Sequence, residues 1–410
     1  MAPKAAATGN PADTEIGVVR ADQSTVDSKS TYFQIQQNLN FDYSFGHGMR
    51  NRTVAGFDFM RRNDDQHFIF ANFDWVPFQG ADYSSMNAAS VAALYEGLKN
   101  TPGYNFDANN TYPSLGKKDF YSAYVSNVFT PIEKLNILAS VRYENVSAGE
   151  GVVGQNTADA YSQAAWSPKL GVVYQWVPDR FSVFANYQNS FKSNGYYAKD
   201  ITSTLVLSDP ELANQMEGGV KANLINGKVN ATLSYYSIKV KNSLIGTGEY
   251  TNNGLAVQKQ AGSLTSRGVE AEVNAYLVKG FSVIAGVSYN DMKLTESDPD
   301  TQGRRPSTAS SPWLVNLNAS YQFLDGPAKG LGFGVGGNYA SDNKIVNSQQ
   351  MGVFLLPEYL LINANAFYDA PKFRIGLKVD NLTNQQYWNG YTTANAQMLR
   401  NVVGSFTLKF

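Results

Sequence analysis

The side chains that most often perform catalysis or bind metals are scarce in this chain. Its 410 residues contain no cysteine and two histidines, His47 and His67. Without cysteine there are no disulfides, thiolate metal sites or cysteine nucleophiles. Two isolated histidines form neither a metal site nor a catalytic base, and the sequence shows no nucleophile–base constellation. We therefore predict that the chain is not an enzyme and has no catalytic site, no metal site and no cofactor.

Two further segments have compositions associated with ligand chemistry. Asp291, Glu296, Asp298 and Asp300 lie close together in the sequence, and carboxylate oxygens are ligands for divalent cations. Such a cluster in a polar segment is more often a solvated loop. The glycine-rich stretch 332–337 alternates in the manner of a strand, which argues against a phosphate-binding loop.

The composition excludes several classes of protein. Charged residues make up 16% of the chain, below the roughly 25% of an average soluble domain, whereas aromatic residues reach 13%. The formal net charge is −1 and there is no run of Lys or Arg, so we expect no nucleic-acid partner. No apolar run approaches the roughly 18 residues of a membrane-spanning helix.

The end of the chain alternates between apolar and polar residues with a period of two. Val402, Phe406, Leu408 and Phe410 are apolar, and polar residues lie between them. This period is typical of a β-strand with one face in oil and one in water. A terminal strand has no later segment to cover it, so an exposed terminal Phe favours an outer-membrane β-barrel whose outer face contacts lipid.

The same alternation recurs throughout the chain and predicts an all-β, transmembrane antiparallel barrel. A clear example is Phe373, Ile375, Leu377 and Val379, which alternate with mostly charged residues. We predict about fifteen strands, near 31–45, 51–75, 118–130, 134–146, 165–177, 180–192, 213–225, 228–243, 258–278, 280–292, 309–324, 330–342, 356–369, 372–385 and 399–410.

The connections between these strands are alternately short and long. Short turns are predicted at 46–50, 130–134, 177–180, 226–228, 278–280, 325–330 and 369–372, with long polar segments between them. Outer-membrane barrels have short turns at one rim and long extracellular loops at the other. A β-sandwich would also alternate, but it gives no reason for every second connection to be long.

The strand count and the first residues indicate that the front of the protein is absent from this sequence. Single-chain bacterial barrels have an even number of strands, and about fifteen is odd. Residues 1–30 are polar, contain no apolar core of a signal peptide, and are interpreted as the remnant of an extracellular loop. We therefore expect the barrel to occupy 31–410 and an odd number of strands to precede it, unless 14–22 form one short strand.

Four segments resemble the C-terminal barrel of TonB-dependent receptors, especially receptors for ferric siderophores. Each is weak alone, but they occur in the order of the family over about 220 residues. They are NSFK at 189–192, EGGVK at 217–221, SRGVEAE at 266–272 and VDNLTNQQYW at 379–388, followed by the final strand that ends in Phe.

The resemblance implies a fold and a function. The family barrel has 22 strands and a plugged lumen, so about fifteen of them would lie here, without the signal peptide, TonB box, plug and first strands. It implies uptake of a ferric chelate across the outer membrane of a Gram-negative bacterium. Outer-membrane lipid surrounds such a barrel, and the TonB complex would act only through the missing N-terminal part. The barrel-assembly machinery would recognise the terminal strand through Phe406, Leu408 and Phe410.

Members of this family bind iron chelates with aromatic and basic side chains of the long loops. Aromatic faces suit the chelate rings, and guanidinium groups suit their negative charge. Any of these residues is more often ordinary loop decoration or part of the interfacial aromatic belt. The candidates by position are Tyr83, Tyr95, Tyr104, Tyr112, Tyr161, Tyr196, Tyr197, Tyr250, Arg304, Arg305, Trp388 and Tyr391.

Three alternatives remain open from the sequence. The chain could be an intact porin-like passive barrel of about sixteen strands, or a receptor of the same family for cobalamin, nickel or a sugar. An outer-membrane lipase or protease barrel is the third, and the absence of a Ser–His or Asp–His set counts against it. The sequence does not name the chelate.

Overall fold

The computed structural model describes residues 2–4, 15–46, 48–77, 89–90, 92–93, 96, 112–153, 156–202, 204–251, 255–390 and 393–410. Within these ranges, side chains are not described for 2–4, 15–27, 68–77, 112–114, 153, 248 and 250. None of the helical residues in these ranges belongs to a helix long and apolar enough to cross a membrane.

The predicted all-β architecture is confirmed, with fifteen strands of eight or more residues in the described part of the chain. Eight shorter strands of two to six residues lie in the connections, and a ninth, Ala2–Lys4, precedes the first long strand. The long strands are β1 (Glu15–Gly46), β2 (Met49–Pro77), β3 (Tyr112–Ile132), β4 (Leu135–Ala148), β5 (Tyr161–Val177), β6 (Phe181–Lys192), β7 (Glu211–Leu224), β8 (Val229–Tyr250), β9 (Ala256–Ala275), β10 (Phe281–Glu296), β11 (Trp313–Gln322), β12 (Leu331–Ala340), β13 (Tyr359–Asp369), β14 (Phe373–Asp380) and β15 (Asn401–Leu408).

The sheet is an antiparallel meander in which every long strand pairs with the next one along the chain. The predicted short turns are confirmed as the connections at one edge of this sheet. All long connections lie at the opposite edge, which we call the outer rim. Because neighbouring strands are joined by hairpins, the backbone groups of one strand are satisfied by the next.

Several strands extend further toward the outer rim than the alternation predicted. β1 begins at Glu15 and β8 continues to Tyr250, although 15–30 and 245–250 were expected to be loop. A membrane crossing needs only about 9–11 residues, so the remainder of each long strand stands in water. The sequence of 15–30 does not alternate regularly, and this is why the pattern did not predict a strand there. The division of the chain at residue 30 stays a prediction.

One face of the sheet is a continuous apolar surface. Residues of the same register face the same side, so the alternating apolar residues of all strands meet there. Ile375 lies opposite Phe406, whose side chain is 67% exposed. A second row across four strands consists of Tyr235, Val269, Tyr289 and Trp313. This face is the one that suits lipid.

The other face is polar and carries a network of hydrogen bonds and ion pairs around Arg142. Its guanidinium donates to Asp58 from Nη1 at 2.8 Å and from Nη2 at 3.2 Å, and it also contacts Glu144 at 2.8 Å. The ring of Tyr124 lies 5.4 Å from the guanidinium carbon. These groups come from β2, β3 and β4, so charges that lipid would exclude are paired on the inward face.

Glycines on the inward face let aromatic rings lie flat against the neighbouring strand. At four positions a Cβ would lie closer than 3.0 Å to ring atoms of the residue directly opposite. A glycine inside a strand weakens it, because it has no side chain to pack. At these positions the aromatic ring of the neighbouring strand fills the space that the missing side chain leaves. The pairs are Gly56 with Tyr124, Gly219 with Phe184, Gly268 with Tyr236, and Gly332 with Phe367.

We expect Gly268→Ala to destabilise the barrel by about 1–3 kcal/mol, because the new methyl group would displace the Tyr236 ring. The measurement is the guanidinium midpoint of the protein folded in detergent micelles. Gly404→Ala is the matched control, since a Cβ at Gly404 has no atom within 4 Å, and it should leave the midpoint unchanged or raise it. Equal midpoints for the two variants would contradict the steric role of Gly268.

Candidate ligand-binding rim

A cavity of about 310 Å³ lies at the outer rim, where three strands and three connections meet. β11 begins there, β12 ends there, and β13 begins there. Its lining includes Thr308, Ser310, Ser341, Asn343, Tyr359 and Trp388. We call this space the rim cavity. Its size and mixed lining suit one end of a small molecule rather than a whole large one.

Asn343 is the most unusual polar group of the rim cavity. The residue is 7% exposed, and its Nδ2 donates a long hydrogen bond of 3.4 Å to the carbonyl oxygen of Gly390. Its Oδ1 receives no hydrogen bond from the described part of the chain. A buried acceptor without a donor is costly. A donor from a bound molecule would remove that cost.

Aromatic rings form one side of this region. Trp388 is 39% exposed, and its neighbour Tyr387 packs against Tyr359 with 4.8 Å between ring centroids. Two rings held together in this way lose little freedom when a planar group stacks beside them. Trp388, next to this pair in the sequence, presents a partly exposed ring to the cavity.

The turn that follows β14 holds these rings in place. Asn381 has a φ of 53°, a left-handed conformation that Asn tolerates better than most residues. Its Nδ2 donates to the carbonyl oxygen of Gln385 at 2.8 Å, and its Oδ1 accepts from the Gln385 backbone N–H at 2.9 Å. Its own backbone N–H donates to Asn363 of β13 at 2.9 Å. One buried side chain thus fixes the path from the wall to Trp388.

Arg305 is largely occupied by the protein itself. Its Nη1 donates to the carbonyl oxygen of Asn290 at 2.8 Å, and its Nη2 donates to that of Ser310 at 2.7 Å. Burial lowers the pKa of this guanidinium from its ordinary value. Arg304 donates from Nη1 to Asn347 at 3.1 Å. These contacts join the rim connections to each other, which leaves few donors for a ligand.

A second group of predicted residues lies on a separate part of the rim. The rings of Tyr161 and Tyr196 meet edge to face with 5.7 Å between centroids. Tyr196 and Tyr197 belong to a short strand that pairs with Leu205–Leu207. Tyr161 is the first residue of β5, whereas Tyr196 and Tyr197 belong to the connection between β6 and β7, and none of the three lines the rim cavity.

The side chains of the remaining predicted ligand-binding residues lie outside the described set. Tyr83, Tyr95, Tyr104 and Tyr391 lie outside the described residues. Tyr112 and Tyr250 are described as the first residue of β3 and the last residue of β8, and their side chains lie outside the described set. Ligand contact by any of the predicted residues stays a prediction.

The acidic segment is divided among protein contacts. Asp291 forms an ion pair with Lys293 at 2.9 Å, and Glu296 accepts from Ser263 at 2.6 Å. Hydrogen bonds from the Ser348 side chain and the Gln350 backbone N–H lower the pKa of Asp300. In the described ranges no three His, Cys, Asp or Glu side chains converge in a way that could hold a metal ion.

The family model "TonB dependent receptor-like, beta-barrel" matches residues 7–382. This match covers most of the sequence and includes fourteen of the fifteen long strands. The chain belongs to the TonB-dependent receptor β-barrel family. The family places it in the outer membrane of Gram-negative bacteria, which is the location that the alternation predicted.

Curated relatives of this TonB-dependent barrel are receptors for metal chelates. It is 30% identical over 265 residues to the metal-pseudopaline receptor CntO of Pseudomonas aeruginosa. The aligned region covers 62% of this chain and 35% of the relative. It is 26% identical over 347 residues to the ferric-pyoverdine BN7/BN8 receptor of Pseudomonas putida. Here the aligned region covers 80% of this chain and 39% of the relative. The chain thus spans little more than a third of the length of these relatives.

Solved structures of the family share the fold of this barrel. The ferripyoverdine receptor of Pseudomonas aeruginosa, bound to ferripyoverdine, superposes with a TM-score of 0.72 at 18% identity, covering 96% of this chain and 52% of that one. The ferric-catecholate import receptor Fiu of E. coli superposes with a TM-score of 0.69 at 15% identity, covering 94% of this chain and 55% of that one. At these identities the likeness concerns the fold.

Sequence reasoning missed Tyr359, Ser341 and Asn343 as part of the rim cavity of this TonB-dependent barrel. Tyr359 was predicted only as a strand residue, and Ser341 and Asn343 lie where a predicted strand passes into a loop. Their one signal in the sequence is position, because each lies at a strand end on the long-loop side. Only the register shows that these ends meet beside Trp388.

We expect Asn381→Ala to destabilise the barrel by about 1–3 kcal/mol, because it removes two buried hydrogen bonds and leaves the Gln385 groups unpaired. It should also weaken the near-ultraviolet circular dichroism of the ring pair. The measurements are the guanidinium midpoint and that spectrum. Asn395→Ala, at an exposed residue of the same connection, is the control. Identical behaviour of the two variants would show that the turn does not depend on Asn381.

Proposed function

We propose that this barrel is the wall and ligand-binding rim of a receptor that takes up a ferric siderophore across the outer membrane. The iron is cargo, held by the siderophore rather than by the protein. Members of the family are transporters and receptors, and we propose that the chain has no catalytic activity. In this role the barrel supplies selective binding outside the cell and a passage through its lumen.

The names of several relatives support a siderophore as substrate. Besides the pseudopaline and pyoverdine receptors, the ferrioxamine B receptor of Salmonella typhimurium is 28% identical over 214 residues, covering 49% of this chain and 29% of the relative. These ligands differ in chemistry, but each of these receptors is named for a metal chelate. A shared barrel with different rim connections accommodates such a range.

The observation that carries the proposal is the rim cavity itself. Trp388 offers an aromatic face, and Asn343 offers a buried acceptor without a donor. Siderophores contain planar chelating groups on a backbone that bears N–H or O–H donors. A stacked planar group with one donated hydrogen bond would use both features of the cavity.

We propose further partners for the complete receptor. Energy from the TonB complex would reach it through segments outside this barrel wall. The barrel-assembly machinery would recognise β15 through Phe406, Leu408 and Phe410, whose side chains are exposed on the outward face. Lipid surrounds the wall, and a net charge of −1 supports no nucleic-acid partner.

We expect Trp388→Ala to weaken binding of the cognate ferric chelate by roughly 5–30-fold, which corresponds to a loss of about 1–2 kcal/mol of aromatic contact. The measurement is the Kd from tryptophan fluorescence quenching of the purified protein. Trp176→Ala is the matched control, because Trp176 is also exposed but lies at the short-turn end of β5 on the outward face. Equal affinities for the two variants would contradict the role of Trp388.

We expect Asn343→Leu to separate stability from binding. Leucine has a similar volume and removes the unpaired buried acceptor, so the guanidinium midpoint should stay the same or rise. The Kd for the chelate should increase by roughly 5–10-fold, since one hydrogen bond is lost. A lower midpoint together with unchanged affinity would show that Asn343 is a structural residue only.

A panel of ligands distinguishes the proposed substrate from the alternatives. Hydroxamate, catecholate and mixed ferric chelates are titrated beside cobalamin and simple sugars. If the protein bound cobalamin or a sugar and no ferric chelate, it would still be a receptor, but the proposed substrate would be wrong. Diffusion of small solutes through the wild-type protein in liposomes, with no binding of any ligand, would favour a passive porin.

A further inference from the structure

Two of the long connections at the outer rim are bound to each other by a set of hydrogen bonds. The connection between β12 and β13 contains a hairpin of two short strands, Asn343–Ser348 and Gly352–Leu356, which we call the rim hairpin. Its partner is residues 297–312, the connection between β10 and β11. Because Asn343 and Leu356, the two ends of the rim hairpin, line the rim cavity, a movement of this hairpin changes the shape of the cavity.

The tip of the rim hairpin is held by Asp300 of the neighbouring connection. The Asp300 carboxylate accepts from the Gln350 backbone N–H at 2.8 Å, and the Ser348 hydroxyl also hydrogen-bonds this carboxylate. The Asp300 carbonyl oxygen accepts from the Gln349 backbone N–H at 3.1 Å. The Gln349 side chain in turn donates to the carbonyl oxygen of Pro299 at 3.0 Å. Four hydrogen bonds thus join the tip to two consecutive residues.

A second attachment is formed by Asn347 on the first strand of the rim hairpin. This residue is buried, and its Oδ1 accepts from Arg304 Nη1 at 3.1 Å. Its Nδ2 donates to the carbonyl oxygen of Arg305 at 2.8 Å. Arg305 itself donates to the carbonyl oxygen of Asn290, a residue of β10. The hairpin is therefore connected through these bonds to the wall of the barrel.

Apolar side chains of the two connections are buried as well. Ile345 and Leu356 of the rim hairpin are each 4% exposed, and Ala309 of the neighbouring connection is 7% exposed. Connections between strands normally run over the protein surface and bury little. Buried apolar side chains together with a buried, fully bonded amide at Asn347 indicate that the two connections form one folded unit above the wall.

We propose that Asp300 and Asn347 are positioning residues that hold the rim hairpin in its ligand-binding position before a ligand arrives. The inference rests on the proposed function, because it concerns the rim cavity. Neither residue lines that cavity, and both act through the hairpin, whose ends do. A site that is already in place loses less conformational freedom on binding. With a freely moving hairpin, only the molecules that have it in place bind, and the apparent Kd rises by the inverse of their fraction.

The first measurement is the mobility of the hairpin tip in the absence of ligand. The chain has no cysteine, so Met351→Cys at the exposed tip carries a single nitroxide label. Electron paramagnetic resonance should show restricted motion of this label in the otherwise unchanged protein. Asp300→Ala or Asn347→Ala should narrow the lines, because each removes one attachment of the hairpin. Identical line shapes in all three proteins would overturn the proposal, whichever ligand the receptor binds.

The second measurement separates positioning from ligand contact. Asp300→Ala should raise the Kd for the cognate ferric chelate roughly fivefold, through a lower association rate constant and an unchanged dissociation rate constant. Loss of a contact residue such as Trp388 acts mainly on dissociation. Stopped-flow tryptophan fluorescence gives both rate constants. An unchanged Kd, or a change that lies in the dissociation rate constant, would contradict the positioning role of Asp300.

Asp342→Ala is the matched control for charge. Asp342 is exposed and lies between Ser341 and Asn343, which both line the rim cavity. Its removal takes away the same charge and should change neither the line shape nor the association rate constant. An equal loss of association in this control would show that Asp300 acts through its charge.

The conservative variant Asp300→Asn keeps an acceptor for the Gln350 N–H and should retain most of the wild-type association rate. The guanidinium midpoint should be the same for all these variants, because the attachments lie outside the sheet of long strands. A wild-type protein that binds no ferric chelate would refute the proposed function, whereas the label at Met351 would still decide whether Asp300 and Asn347 hold the hairpin.

Discussion

Every backbone N–H and C=O that enters hydrocarbon must be bonded within the protein, and this requirement governs the whole wall. An antiparallel meander meets it with the fewest residues, because each strand satisfies its predecessor and is satisfied by its successor. The pairing also fixes the register from β1 to β15, and one residue of slip would turn a whole strand inside out. The continuous apolar face, from Phe406 of β15 through Ile375 of β14 and onward, follows from that register.

The same register obliges charged and polar side chains to meet on the inward face, where they are satisfied in groups. Arg142 draws carboxylates from two strands to one guanidinium, which leaves neither anion unpaired. Aromatic rings that pack over glycines fill the space beside the backbone of the neighbouring strand. At Gly268 the Tyr236 ring occupies the space of a side chain, and its hydroxyl accepts from Asn290 at 2.8 Å. Asn290 in turn accepts from Arg305 of the rim. These hydrogen bonds connect Tyr236 of the wall to Arg305 of the rim.

The wall could be predicted from the sequence because membrane strands repeat one rule. Phe373 to Val379 alternate so regularly that the strand, its faces and its neighbours follow from the pattern. The rule fails at 15–30, which continue as a strand although their sequence does not alternate regularly. It also cannot find the rim cavity. Trp388 was selected for being an aromatic residue in a loop, but Asn343 becomes notable only when β12 and β13 bring it beside Trp388. Conversely, Arg305 had the right chemistry, but its Nη1 and Nη2 groups donate to the protein itself.

The turn after β14 separates the wall from the connection that carries Trp388. Asn381 connects the turn to β13 through Asn363 and to its own chain through Gln385, so the wall alone determines where the connection begins. Tyr387 then meets Tyr359, and the next residue is the exposed Trp388. Trp388 and the two residues after it line the rim cavity and belong to no long strand. Under the proposed function, a substitution at Trp388 would change binding, whereas one at Asn381 would change the stability of the wall. Binding and stability would then depend on different residues of one short connection.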